Sequence, residues 1–89
     1  MDLEVKLYGP LRHRAGTDSL TIVLDNHKLS SAIHQLCKLS QLKDSLLKAN
    51  GDFCRSVIYL IGDNQVNVED NPSLKSGDVL TLLAPISGG

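Results

Sequence analysis

The fold of this chain is restricted above all by the order in which strand-like and helical segments follow one another. Apolar residues alternate with polar ones over residues 3–8, the period-two pattern of a strand that buries one face. A second alternating segment covers residues 19–24. The turn signals Gly9-Pro10 and Gly16-Thr17-Asp18 lie between them and predict a hairpin with a long loop. The chain is therefore expected to open with two antiparallel strands.

A helical segment is predicted from residue 31 to residue 50. Its apolar positions recur three and four residues apart, and Ser30 or Ser31 can cap its first turn. The period slips around residues 39–41, which indicates a break or a second short helix. We expect the segment to end at Asn50-Gly51, because glycine readily takes the left-handed conformation of a C-cap.

Three further strands are predicted after the helical segment. Residues 57–61 form a short apolar run rich in β-branched side chains, which predicts a strand of about five residues. A tight turn at residues 62–64 leads into a strand of about four residues that includes Val66 and Val68. A turn-rich connector, residues 70–78, precedes the last strand, residues 79–83. The helix must pack on one face of a mixed sheet, since a parallel return between strands needs such a crossover. The expected fold class is α+β.

The size and composition of the chain limit what it can do. Its 89 residues allow one small domain, which buries too little surface for a deep, self-contained enzyme pocket. Nine Lys and Arg against ten Asp and Glu give a net charge of −1, without a basic stripe that could neutralise phosphates. An aromatic content of 3% makes a base-stacking platform hard to build. Nucleic acid is therefore not expected as a partner.

The two cysteines and three histidines are too few and too scattered for a disulfide framework or a four-ligand zinc site. Cys37 falls at helical spacing with Ile33 and Leu36, and Cys54 precedes a strand, so both are interpreted as reduced thiols that pack in the core. Storage of persulfide sulfur on Cys37 is the alternative. No apolar stretch approaches the roughly 18 residues of a membrane span. We expect no bound metal, no membrane contact and a cytoplasmic location.

The chain ends in a segment without a strand pattern, Ala84-Pro85-Ile86-Ser87-Gly88-Gly89. Proline cannot donate a hydrogen bond to a sheet, so Pro85 is expected to detach the tail from the last strand. An extended tail of this length reaches roughly 20 Å, and two terminal glycines would let it thread a narrow channel. We therefore divide the chain into a folded domain, residues 1–83, and a flexible tail, residues 84–89. A frayed end without a function is the alternative.

Three segments carry a family resemblance. They are residues 7–18, in which Arg12 is followed by Ala15-Gly16-Thr17-Asp18, the stretch Leu74-Lys75-Ser76-Gly77-Asp78, and the ending Pro85 to Gly89. Together with the order of elements, they resemble the small sulfur-carrier subunit of molybdopterin synthase, a ubiquitin-like family. The resemblance spans the full length, although the helical middle matches only in pattern. It implies a β-grasp fold, with a mixed sheet of four to five strands, one main helix on one face, and the last strand parallel to the first.

The resemblance also implies a function. In this family, an adenylating enzyme of the ubiquitin-activating type uses ATP to activate the terminal carboxylate, here that of Gly89, which then becomes a thiocarboxylate. The carrier docks on the large subunit of molybdopterin synthase and donates its sulfur to a pterin precursor. By this resemblance the chain binds no cofactor and is not catalytic alone, while its partner supplies the pocket.

The expected partner-binding residues lie in the tail and beside it. Carriers of this family often place aromatic residues on the last strand just before the tail, whereas this chain has Leu82, Leu83 and Ala84 there. Docking is therefore expected to use Leu83, Tyr8 and an apolar patch near Ile58. The full predicted set is Tyr8, Arg12, Ile58, Leu83, Pro85, Ile86, Ser87 and Gly88.

Other features leave alternatives open. The Arg12-His13-Arg14 triplet is either a solvated loop or a source of docking charge for an acidic partner. Asp18 and Asp78 fall at turns, where carboxylates commonly bind local backbone amides, so both are interpreted as structural. Related small β-grasp proteins with the same ending, notably in archaea, are joined to lysines of target proteins as ubiquitin-like modifiers, and some serve in tRNA thiolation. An interaction module with an inert tail is the third hypothesis.

Overall fold

A computed structural model of the chain describes residues 2–39, 42–48, 50–52 and 57–84. In chain order the elements are β1 (Asp2–Tyr8), α1 (Pro10–Ala15), β2 (Ser19–Val23), α2 (Leu29–Leu39), α3 (Lys43–Leu46), β3 (Ile58–Ile61), β4 (Asn64–Val66), a 3₁₀ turn (Val68–Asp70) and β5 (Val79–Leu83). The predicted order of strands around one main helix is confirmed, and so is the α+β class.

The strands form one five-stranded mixed sheet in the order β2-β1-β5-β3-β4. β1 pairs antiparallel with β2 and parallel with β5, and β3 pairs antiparallel with both β5 and β4. The first and last strands of the chain therefore lie side by side at the centre of the sheet. Their parallel pairing depends on the crossover through α2, and it agrees with the strand arrangement that the family resemblance implied.

The hydrophobic core lies between α2 and one face of the sheet. β1 alternates between exposed and buried side chains, and Leu3, Val5 and Leu7 are 0% exposed. Leu80 and Leu82 of β5 continue this buried face. The core-facing residues of α2 are Leu29, Ala32, Ile33 and Leu36. Burying each large aliphatic side chain contributes about 1.5–3 kcal/mol, so this aliphatic layer is the main source of stability.

The connection between β1 and β2 holds a short helix where the sequence predicted only a loop. α1 begins at Pro10, whose fixed φ and missing N–H suit the first helical position. It buries Leu11 completely and ends at Gly16, where φ is +74° and the N–H donates to the Arg12 carbonyl at 3.0 Å. The glycine and proline signals are typical of turns as well as of helix ends, and six residues are too few to show a helical period.

The helical segment is divided as predicted but ends earlier than predicted. α2 and α3 are separate helices, and residues 40 and 41, at the predicted break, lie outside the described residues. α3 stops at Leu46, because Leu47 is extended with φ −120° and ψ 144°. Gly51 has the expected positive φ of +92°, but it closes a turn with the Lys48 carbonyl instead of capping a helix at Asn50.

The start of α2 corrects a second prediction. Ser30 and Ser31 lie inside the helix and do not cap it. Acceptors for the first amides come from a distant segment: the Asn71 Oδ1 accepts from the Ser30 N–H at 2.9 Å, and the Pro72 carbonyl accepts from the Leu29 N–H at 3.1 Å. A local sequence pattern contains no sign of a cap that comes from 41 residues away.

The second hairpin is shorter than predicted. β3 has four residues and β4 has three, against the five and four expected. Gly62 provides the tight turn with φ +61°. Val68 does not extend β4, because the 3₁₀ turn begins at that residue and carries the chain away from the sheet.

Candidate functional site

A row of three side chains crosses the sheet face opposite α2, at the end of β5. Leu83 lies opposite Tyr8 in the parallel ladder and opposite Ile58 in the antiparallel ladder with β3. Tyr8 is 47% exposed and Ile58 is 38% exposed, and Leu83 is half-buried between them. We call these three residues the outer-face row. The expected proximity of Leu83 and Tyr8 is confirmed by this register.

Strand alternation fixes which face Leu83 occupies. Its neighbour Leu82 is fully buried under α2, so Leu83 points to the opposite, uncovered face. One step back along the strands, Thr81 lies between Lys6 and Leu60, so the surface there is mixed. The apolar outer-face row therefore sits at the end of β5 from which the tail departs.

The root of the tail is held close to the end of β1. A Cβ built on Gly9 would lie 3.1 Å from the carbonyl oxygen of Ala84, which is the first residue of the tail and the last residue that the structure describes. Gly9 has φ +63° and ψ −141°, a conformation that is essentially restricted to glycine. A side chain at this position would strain the backbone and press on Ala84. The sequence signal indicated only a turn at Gly9 and gave no sign of this approach.

Arg12 lies beside the outer-face row. It is exposed on α1 and lines a shallow depression of about 200 Å³ next to Tyr8, together with Lys6, Leu7, Asp18 and Ser19. His13 and Arg14, the other members of the predicted basic triplet, are exposed on the same short helix and not on a loop. The structure thus brings a cation to the rim of the apolar row, and the partner-binding role of Arg12 stays a prediction.

The remaining predicted site residues lie outside the described residues. These are Pro85, Ile86, Ser87, Gly88 and Gly89, and Cys54 among the predicted core thiols. Their assigned roles stay predictions. β5 ends at Leu83, next to the boundary that we placed between domain and tail.

Cys37 is a half-buried thiol on α2 that packs against the hydrophobic core. Burial raises its pKa above the ordinary value, and the nearby Lys43 ammonium partly opposes that effect. A raised pKa leaves little reactive thiolate at neutral pH, which favours the packing interpretation of Cys37 over a role as a sulfur nucleophile.

The stretch around Lys75 that contributes to the family resemblance forms a side-chain-capped turn before β5. The Asp78 Oδ2 accepts from the Lys75 N–H at 2.7 Å, and the Asp78 N–H donates to the Lys75 carbonyl at 3.0 Å. Gly77 supplies the positive φ of +91° inside this turn. The structural interpretation of Asp78 is confirmed. For Asp18, the hydrogen bond that the structure gives is through the backbone carbonyl, which accepts from the Leu7 N–H at 2.9 Å, so the role of its carboxylate stays a prediction.

Neither a cluster of candidate metal ligands nor a membrane-spanning helix is found in the described ranges. Residues 2–39, 42–48, 50–52 and 57–84 contain no group of three or more His, Cys, Asp or Glu side chains arranged to hold an ion. Within the same ranges, each helix is too short or too polar to cross a bilayer.

Comparisons with solved structures identify the fold as a β-grasp. Small archaeal modifier protein 1 of Haloferax volcanii is 22% identical, with 100% of each chain covered and a TM-score of 0.90. The protein of the same name from Methanosarcina acetivorans is 28% identical, covering 99% of this chain and 96% of its own, with a TM-score of 0.78. Subunit 1 or 2 in the molybdopterin-converting factor complex of Helicobacter pylori is 26% identical over 100% of both chains, with a TM-score of 0.63.

No protein-family model and no curated protein sequence matches this chain. The structural neighbours are therefore the basis of the classification. The protein is a ubiquitin-like β-grasp module, and its neighbours are small archaeal modifiers and subunits of molybdopterin-converting factor. The predicted fold class is confirmed.

Proposed function

We propose that this protein is a sulfur carrier whose Gly89 carboxylate is activated and converted to a thiocarboxylate for molybdopterin synthesis. A carboxylate is a poor electrophile, so a separate enzyme spends ATP to form an acyl-adenylate, in which AMP is a good leaving group. A sulfur nucleophile then displaces AMP and forms the carbon–sulfur bond. The thiocarboxylate sulfur then bonds to a pterin precursor, and water hydrolyses the acyl–sulfur bond, which leaves the sulfur on the precursor and returns Gly89 to the carboxylate. The chain itself needs neither a nucleotide site nor a metal for this role.

The observation that carries this proposal is the full-length likeness to the chain from the Helicobacter pylori complex of the two molybdopterin-converting factor subunits. We infer from it that a large synthase subunit is a partner of this chain too. The outer-face row fits that role, because an apolar strip beside the tail root would hold the domain while the tail enters the partner. At roughly 3.3 Å per residue, the tail is long enough to reach a recessed site.

The test is reconstitution of the activation reaction from the purified protein, the adenylating enzyme of the same host, ATP and a sulfur source. We expect wild-type protein to form the thiocarboxylate, whereas a variant with one residue added after Gly89 stays unmodified because its carboxylate is displaced. The added residue should leave the melting temperature unchanged. Activation of the extended variant would overturn the proposal. So would failure of the wild type to acquire sulfur from an enzyme that is proven active on another carrier protein.

A second candidate function is conjugation to target lysines. It is favoured by the likeness to small archaeal modifier proteins from two organisms. The two functions share the activated end and differ in the acceptor, which is a lysine amine in one and a sulfur nucleophile in the other. Trypsin cleaves after Lys75 and finds no later Lys or Arg, so a conjugate would carry residues 76–89 on the target lysine. Detection of that branched peptide in host proteins supports conjugation. If the protein instead carries sulfur for tRNA thiolation, deletion of its gene should lower the thiolation of host tRNA.

A further inference from the structure

The free edge of β2 carries backbone N–H and C=O groups that point away from β1. Which residues these are follows from one hydrogen bond. The Leu7 N–H donates to the Asp18 carbonyl at 2.9 Å, one register step beyond the pairing of Lys6 with Ser19. Hydrogen-bonded and non-hydrogen-bonded pairs alternate along an antiparallel ladder. Thr21 and Val23 consequently direct their N–H and C=O groups away from β1. Because β2 is an edge strand of the sheet, those groups point away from the sheet and have no neighbouring strand in the part of the chain that the structure describes.

One end of this edge is closed by a side chain. The Thr17 Oγ1 donates to the Ser19 carbonyl at 2.9 Å and lies 3.4 Å from the Ser19 N–H, which donates to it. Ser19 shares the alternation of Thr21 and Val23, so this contact confirms the outward direction of all three. The part of the edge left open among the described residues is Thr21 to Val23.

The side of the open edge that faces away from α2 is acidic, whereas the other side carries both an acid, Asp25, and a base, Lys38. On the sheet face opposite α2, Asp2 lies across from Val23 and Glu4 lies across from Thr21, and both carboxylates are exposed. Val23 itself is 63% exposed. On the other side, a depression of about 210 Å³ separates β2 from α2. It is lined by Val23, Leu24, Asp25, Asn26, Ser31, His34, Gln35 and Lys38.

We propose that this edge binds an extended basic segment of a partner protein, which adds to the sheet as a sixth strand. The backbone of the segment would pair with Thr21 and Val23. At a strand spacing of about 4.8 Å, the added segment lies roughly 10 Å from β1. A Lys or Arg side chain of the segment, on the sheet face opposite α2, can therefore reach across β2 toward Glu4 or Asp2. The alternate side chains, which face Lys38 and Gln35, would be uncharged.

A second copy of this chain fits the same edge less well. It would bring its own Asp2 and Glu4 to the outer face of the joint, where like charges repel, while Asp25 and Lys38 offset one another on the other side. A basic segment replaces that repulsion with attraction. The edge also lies on the far side of β1 from β3, whereas the outer-face row includes Ile58 of β3. The two surfaces can therefore be tested separately.

The experiment is a titration of the full-length protein, labelled with ¹⁵N, with the peptide acetyl-TKTKTKT-amide. We expect saturable shifts centred on the amides of Thr21 and Val23, and weaker binding at high salt because the charges are exposed. The matched peptide acetyl-TETETET-amide should cause no such shifts. Shifts confined to the outer-face row, equal binding of both peptides, or no saturable shift at millimolar peptide would overturn the proposal.

Three variants separate the contribution of the charges from that of the backbone hydrogen bonds. Asp2→Asn with Glu4→Gln should weaken binding about five-fold, the effect of losing two exposed ion pairs. Asp63→Asn with Asp70→Asn removes the same charge from residues that lie outside β1 and β2 and do not line the depression beside β2, and should leave affinity unchanged. Thr21→Pro removes one outward N–H, which an edge strand tolerates, and should abolish binding. If Thr21→Pro fails to fold, the charge variants decide the outcome, and equal affinities for the two pairs would contradict the proposal.

Discussion

Tyr8, the last residue of β1, and Leu83, the last residue of β5, are direct partners in the parallel ladder at the centre of the sheet. The pairing brings the end of the first strand to the root of the tail. Ile58 extends the same row from the other side of Leu83. A partner that binds the outer-face row would therefore contact the domain next to the start of the tail.

Leu83→Asp should weaken binding to the large synthase subunit and leave the fold intact. Leu83 lies half-buried on the uncovered face, so the charge stays near water in the free protein but is desolvated in the complex. We expect a loss of about 2 kcal/mol or more in calorimetric titration, the size of an interface hot spot. Adenylation should change less than binding.

Leu82→Asp is the matched control, because Leu82 is 0% exposed and should not tolerate a charge. Circular dichroism and thermal melting compare the two variants. If Leu83→Asp unfolds the protein as Leu82→Asp does, Leu83 is essential to the core and the proposed docking surface is wrong.

Gly9→Ala should slow tail activation beyond its effect on stability. Gly9 and Gly16 both have positive φ, but only the new Cβ at Gly9 would meet a neighbour, the Ala84 carbonyl at 3.1 Å. We expect Gly16→Ala to cost about 1 kcal/mol of unfolding free energy and Gly9→Ala about 2–3 kcal/mol. Denaturant unfolding measures the stabilities, and adenylation rates of the folded variants measure tail placement. Equal adenylation rates for both would show that Gly9 does not position the tail.

Replacement of Asn71 should test the long-range cap of α2. Its side chain accepts from the Ser30 N–H, and its own φ is +45°. Asn71→Gly keeps the backbone conformation accessible and removes only the acceptor, so we expect a loss of about 1 kcal/mol in urea unfolding. Asn71→Asp retains the acceptor and should stay near wild type. A stable Asn71→Gly would mean that the Pro72 carbonyl alone suffices.

Alkylation of Cys37 should be slow in the folded protein and should accelerate only at alkaline pH. Burial raises its pKa, so folding favours the neutral thiol. The contribution of the neutral Cys37 thiol to the stability of the fold is fully present below the pKa of the thiol in the unfolded chain. It is lost as the pH rises through the higher pKa of the thiol in the folded protein. Iodoacetamide rates in a Cys54→Ser background, compared with the same protein in guanidinium, provide the measurement. Faster alkylation in the folded state would indicate an activated thiol and reopen the persulfide alternative.

Element order was predictable because it depends on hydrophobic period, and a parallel return in a mixed sheet followed from crossover geometry. That the return pairs β1 with β5, and that Leu83 serves docking, was implied only by the family resemblance. α1 was missed because a helix of six residues is too short to show a period of its own. The cap of α2 by Asn71 and the approach of Gly9 to Ala84 join residues far apart in the chain, and a one-dimensional pattern does not record such contacts.

The central claim is tested most directly by the intact mass of the protein purified from its native host. A thiocarboxylate on Gly89 adds about 16 Da to the carboxylate form, the difference between sulfur and oxygen at the activated acyl group. We predict a fraction of the protein at the higher mass, with the added mass located in the terminal peptide, residues 76–89, which contains no cysteine. An alkylating reagent should modify this peptide only where it carries the thiocarboxylate, and the sulfur stays in the alkylated adduct. A single carboxylate species, in cells that are actively making molybdopterin, would contradict the account.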